Sequence, residues 1–137
     1  MITIKMNTID VQDYLAIRAE VGWITLLEEQ AKKALDNSIC VIGAYEDDQL
    51  IGMGRIVGDG AVICYIQDLI VVPKHQSNGV GSMLLKYLIE YVETLRQKDS
   101  RMMLCLMCAK GREKFYEKHG FVARPTDALG PGMIQYL

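Results

Sequence analysis

Gln76, Gly79 and Gly81 follow one another at i, i+3 and i+5 in the stretch VVPKHQSNGVGSMLLKYL, Val71 to Leu88. A β-branched run ends at Pro73, a short polar loop follows, and helical spacing begins at Val80. A loop that leads from a strand into a helix can hold an anion. The first helical turn carries free N–H groups and the positive end of the macrodipole. Glycine lets a ligand approach the backbone closely and permits a left-handed φ. Phosphate or pyrophosphate is the natural guest of Gln76, Ser77, Asn78, Gly79, Val80, Gly81 and Ser82. A few residues upstream, Asp68 can accept a proton where its neighbour Gln67 cannot. Strand alternation puts the two on opposite faces, so only one can face a given cleft.

Two familiar phosphate loops do not fit. No Gly-Lys-Ser or Gly-Lys-Thr occurs, which excludes Walker A. The dinucleotide fingerprint needs a third glycine and an early place in the chain, and here the loop comes late, after several strands. Cys105-Leu-Met-Cys108 matches CxxC, but it sits in the apolar run MMLCLMC, which reads as a buried strand. No second pair and no suitably spaced histidine supports a metal or redox site. No metal is expected.

Composition narrows the field further. The chain has 137 residues, half of them apolar, and a formal net charge of −2. That size suits one domain over 1–137 with a core that needs no staples. No basic block suggests nucleic acid, and no apolar span suggests a membrane helix or a signal peptide. A cytoplasmic protein with four reduced cysteines is the expectation.

The loop needs elements to position it. Residues 2–6 alternate as an edge strand, and Asp10 is suited to cap a helix through about Glu20. A second helix is predicted over Thr25–Leu35. ICVIGAYE, LIGMGRIVG and AVICYIQDLIVV read as three strands of an antiparallel meander, joined at DDQ and GDG. After the loop, Val80, Met83, Leu84, Tyr87, Leu88, Tyr91 and Leu95 recur at helical spacing. RMMLCLMC is then a strand parallel to the one before the helix. Lys110 to His119 reads as a short helix, and FVARP and GMIQYL as two more strands. The expected fold class is α/β: a mixed sheet of six or seven strands flanked by about four helices.

The pattern Q-x-x-G-x-G resembles the acyl-coenzyme A loop of the GNAT superfamily of N-acetyltransferases. The resemblance extends from IQDLIVVPKHQSNGVGSMLLKYLIEYV, which is similar to that family's fourth strand, loop and third helix, to KFYEKHGFV, similar to its F-Y-x-x-x-G-F element. It covers most of the chain from about Ile39. It implies acetyl transfer from acetyl-coenzyme A to a primary amine by direct attack in a ternary complex. It implies that the backbone of Leu69, Ile70, Val71 and Val72 serves the pantetheine arm, and that Tyr116 is the general acid. Asp68 stands where many members carry an acidic residue, so it is the candidate base beside a structural role. The Asn that many members place after the fifth strand is replaced here by the region of Cys108 and Lys110. GRIVGDG and PGMIQYL are similar to small bacterial arylalkylamine-type relatives, which points to a small amine. A homodimer is a reasonable expectation for such a fold. The competing readings are a non-catalytic acyl-coenzyme A-binding regulator of the same fold and a nucleotide module using the loop alone.

Overall fold

A computed structural model describes residues 1–137. The chain runs β1 (Ile2–Met6), α1 (Val11–Glu20), α2 (Glu28–Asp36), β2 (Cys40–Glu46), β3 (Gln49–Gly58), β4 (Ile63–Val71), a 3-10 turn (Pro73–His75), α3 (Val80–Leu95), β5 (Met103–Leu106) and α4 (Glu113–Glu117). The five strands form one sheet in sequence order. β1 to β4 are antiparallel neighbours, and β5 pairs parallel to β4 after the α3 crossover, as the strand–helix–strand spacing predicts. The α/β class and the meander stand. The strand count is five instead of six or seven, because FVARP and GMIQYL form no strand. A strand exists only with a partner, and residues 131–137 make no hydrogen bond to any part of the chain.

Helices cover both faces of the sheet. Asp10 caps α1 by accepting from the Asp13 N–H at 2.8 Å, as its residue type suggests. α1 and α2 cover one face, where Tyr14, Ile17, Ala31, Val41, Met53 and Ile70 are buried together. α3 covers the other over Ile42, Ile51, Ile56 and Ile66, through Val80, Leu84, Leu85, Leu88 and Val92. Met83, predicted on the buried face, is exposed, and Leu85 and Val92 take its place. The helix is apolar over more than one stripe, so periodicity leaves the centre of its buried arc open by about one residue. β3 carries glycine where α3 presses closest. A Cβ on Gly52 would stand 2.9 Å from Leu84 Cδ1 and 3.0 Å from the Ile70 carbonyl.

One irregularity in β4 decides what faces where. Arg55 pairs with Gln67 and Met53 with Ile70, so Asp68 and Leu69 together oppose Gly54. Asp68 takes a left-handed φ of 57°. This β-bulge shifts the alternation by one. Cys64 and Ile66 therefore point to the α3 face, and Ile70 to the α1 face.

Candidate active site

The polar loop is built as its residues suggest. Ser77 and Gly79 adopt φ of 70° and 81°, and α3 begins at Val80. Left-handed backbone at Gly79 is cheap only for glycine. The outcome is a row of six consecutive backbone N–H groups, Ser77 to Ser82, with no acceptor anywhere in the protein. The first to have one is Met83, which donates to the Gly79 carbonyl at 3.1 Å. Free N–H groups at the positive end of a 16-residue helix make a cradle for a multivalent anion. Gln76 anchors the loop. Its side-chain amide donates to the Val71 carbonyl at 3.0 Å, tying the loop to the end of β4. A Cβ on Gly81 would lie 3.4 Å from Phe115, an ordinary packing distance, so the fold leaves room for a side chain here.

β4 is open beside the loop. It pairs with β5 only from Ile63↔Met103 to Ile66↔Leu106, and then β5 ends. From Gln67 to Val71 the edge of β4 that would continue that ladder has no strand partner. Leu69, Ile70, Val71 and Val72 thus lead along an open edge to the N–H cradle, a geometry that an extended ligand with amide groups can match.

Tyr116 sits on α4, half-buried among aromatic neighbours. Its ring meets Phe115 edge-on at 5.1 Å and Phe121 at 5.9 Å. Burial, with Cys108 close by, pushes its phenol above the usual tyrosine range, so the hydroxyl stays protonated at neutral pH. Cys108, exposed beyond the end of β5, stands near it, in the region where the resemblance expects an Asn. The CxxC run is less buried than its composition suggests. Met103 is half exposed, because β5 is the outermost strand and nothing covers its far side.

Asp68 sits in a buried junction of polar side chains. Its side chain is fully buried, and both oxygens are committed. Arg18 Nη1 donates to Oδ1 at 2.8 Å, Arg55 Nε donates to Oδ2 at 2.6 Å, and the Tyr14 hydroxyl also donates to Oδ2. Gln67 does not point away. The bulge breaks the alternation and brings its amide within 3.5 Å of Oδ1. Two guanidinium groups and a phenol thus hold the carboxylate on both of its oxygens. Asp68 joins α1, β3 and the β4 bulge. Arg18 extends the junction to the α1–α2 connection, donating to the Ile24 carbonyl at 3.1 Å and packing 5.3 Å from the Trp23 ring.

Arg18 and Arg55 were not legible as partners of Asp68 from sequence, being 50 and 13 residues away. Tyr14 is fully buried in this junction, and Tyr136 is exposed. Tyr45 contacts Thr8 on the β1 side. Glu28 and Glu29 line, with Val11, Leu27 and Lys32, an open cavity of about 570 Å³ between α1 and α2. No helix is long and apolar enough to cross a membrane.

The fold is that of an acetyltransferase, as its likeness to known proteins shows. The sequence profile of the acetyltransferase (GNAT) family matches residues 7–121, and the chain belongs to that family. The ycf52-like N-acetyltransferase of Prochlorococcus marinus is 29% identical over 88% of this chain and 67% of its own length. The histone acetyltransferase TAP1 of Glycine max is 32% identical over 89% of this chain, which spans 56% of the soybean protein. Among solved structures, a probable acetyltransferase, SA2161 of methicillin-resistant Staphylococcus aureus, superposes with a TM-score of 0.86 at 30% identity, covering 99% of this chain and 100% of that one. The GNAT protein SP0256 of Streptococcus pneumoniae gives 0.80 at 30% identity, over 100% and 98%.

Proposed function

We propose that this acetyltransferase, working as one domain, takes its acetyl group from acetyl-coenzyme A and passes it to a primary amine by direct attack in a ternary complex. The observation that carries the reading is the row of six unpartnered N–H groups from Ser77 to Ser82. Backbone donors fixed before the ligand arrives hold a pyrophosphate with little ordering cost. The open edge of β4 at Leu69–Val72 takes the pantetheine amides, and its N–H groups face charge that builds on the thioester oxygen. Tyr116, kept protonated by burial, gives its proton to the departing thiolate. The attacking amine loses its proton to water, and Asp68 acts by holding the bulge that shapes the cleft.

The chain's acetyl donor and its chemistry are separated by one pair of measurements. Calorimetric titration with acetyl-coenzyme A, coenzyme A and ATP is expected to show micromolar binding of both coenzymes and none of ATP. Thiol release is then followed against a panel of small primary amines. Absence of coenzyme binding in a folded sample overturns the reading. Binding without turnover on any amine or peptide favours a non-catalytic acyl-coenzyme A-binding protein of the same fold.

A further inference from the structure

We propose that the acceptor amine also carries a carboxylate, and that Arg55, backed by Arg18, binds it. This rests on the acetyl-transfer reading above and names the class of its acceptor. The buried junction of α1, β3 and β4 holds two guanidinium groups but one carboxylate. Asp68 is the only acid paired with Arg18 or Arg55, whose side chains are 12% and 11% exposed. Every other partner in the junction is neutral. The Tyr14 hydroxyl and the Gln67 amide meet Asp68, Ser38 Oγ accepts from Arg55 at 3.2 Å, and the Ile24 carbonyl accepts from Arg18. The Tyr14 ring packs 5.7 Å from both guanidinium groups and supplies no negative charge. One positive charge is thus left without a counter-charge, a costly arrangement inside a protein unless something pairs with it.

The same two side chains hold the unused donors. Arg55 spends Nε on Asp68 and Nη1 on Ser38, while its Nη2 makes no hydrogen bond and stays open to solvent. Arg18 spends Nη1 on Asp68 and Nη2 on Ile24, and its Nε is buried without a partner. Arg55 also stands beside the place given to the thioester. It pairs with Gln67, the first residue of β4 beyond the end of the β5 ladder, where the open edge begins. Neighbouring strands lie about 4.8 Å apart, so the free guanidinium donor and the open edge are neighbours. The surplus is a single charge, which one carboxylate balances and a phosphate dianion would exceed. A planar guanidinium also matches a carboxylate in shape.

Matched pairs of small molecules test this on the full chain loaded with coenzyme A, a complex in which no acetyl transfer runs. Each pair is an α-amino acid and the amine left when its carboxylate is removed, over aliphatic, aromatic and basic side chains. In at least one pair the amino acid is expected to bind at least about tenfold tighter, equivalent to about 1.4 kcal/mol, and to shift the Arg55 side-chain N–H signals in heteronuclear NMR. Arg55→Lys keeps a cation for Asp68 and removes the guanidinium fork. The ratio of affinities within that pair is expected to fall towards one in this variant, and a ratio is insensitive to a general loss of stability. If Arg55→Lys does not fold, the parent carries the test alone: its Arg55 signals must follow the amino acid and not the amine. No advantage for the amino acid in any pair overturns the proposal, as does an advantage that folded Arg55→Lys keeps. Absence of coenzyme binding, read beforehand by calorimetry, overturns the acetyl-transfer reading and this proposal with it.

Discussion

Arg18 of α1 donates to Asp68 of β4 across 2.8 Å, with Asp68 wholly out of water and Arg18 nearly so. The contact joins residues 50 positions apart and closes a junction that also holds Arg55 and Tyr14. Removing one member of a buried ion pair leaves the others charged without compensation, which costs about 3–5 kcal/mol. Asp68→Ala is therefore expected to lower the melting temperature by about 10–15 °C. Thermal unfolding followed by circular dichroism checks it. A shift under about 3 °C, combined with a large loss of turnover, would return Asp68 to the role of catalytic base.

Tyr116→Phe keeps the ring that packs against Phe115 and Phe121 and removes only the hydroxyl. Turnover is expected to fall about 10²-fold or more, with coenzyme affinity unchanged. The acid form of Tyr116 is the active one, and burial raises its pKa above 10. Its protonation therefore sets no limit on rate until the pH passes 10. A Tyr116→Phe enzyme of parental rate removes the proton-donor role.

Gly81→Asp separates folding from binding. A carboxylate in the first turn of α3 complements the helix dipole, which favours the fold by about 0.3–1 kcal/mol. The same charge stands among the N–H groups assigned to the pyrophosphate. Coenzyme affinity is expected to drop at least about 100-fold, equivalent to about 2.7 kcal/mol, without loss of stability. Calorimetry showing parental affinity in this variant would place the pyrophosphate elsewhere.

Gly52→Ala reverses a usual rule. Alanine in place of a strand-interior glycine ordinarily stabilises by about 0.5–1 kcal/mol. Here the added methyl meets the Leu84 side chain at 2.9 Å and the Ile70 carbonyl at 3.0 Å, so Leu84 must leave its place and the β4 backbone must give. A loss of about 1–3 kcal/mol is expected in urea unfolding. A gain in stability would mean that α3 does not press on β3 as described.

Cys40 is buried in the core, and burial pushes its thiol from 9.0 up to about 11. A folded-state pKa above the unfolded one gives stability that is complete below pH 9 and falls as pH rises towards 11. Unfolding midpoints should decline over that window, and less steeply in Cys40→Ala. In the folded protein at pH 8, a disulfide reagent should reach exposed Cys108 and spare Cys40 and Cys64. Equal slopes in parent and variant would refute the shift at Cys40.

Much of this was legible in sequence because it is local. Period-2 runs broken by turn residues marked β2, β3 and β4, and Asp10 marked the start of α1. Gln76, Gly79 and Gly81 before a helical repeat marked the cradle, since a turn's φ angles and a helix's free N–H groups depend on neighbours in the chain. Two further features were decided elsewhere. Alternation put Gln67 and Asp68 on opposite faces, but the bulge opposite Gly54 brought them together and turned Ile70 to the α1 side. Whether Asp68 is a base or a junction depended on Arg18 and Arg55, which no spacing connects to it. The sequence alone determined which segments could be strands, and which loop could hold an anion. The tertiary structure decided which strands found partners and which carboxylate was already occupied, because pairing and charge compensation depend on groups that only folding brings together.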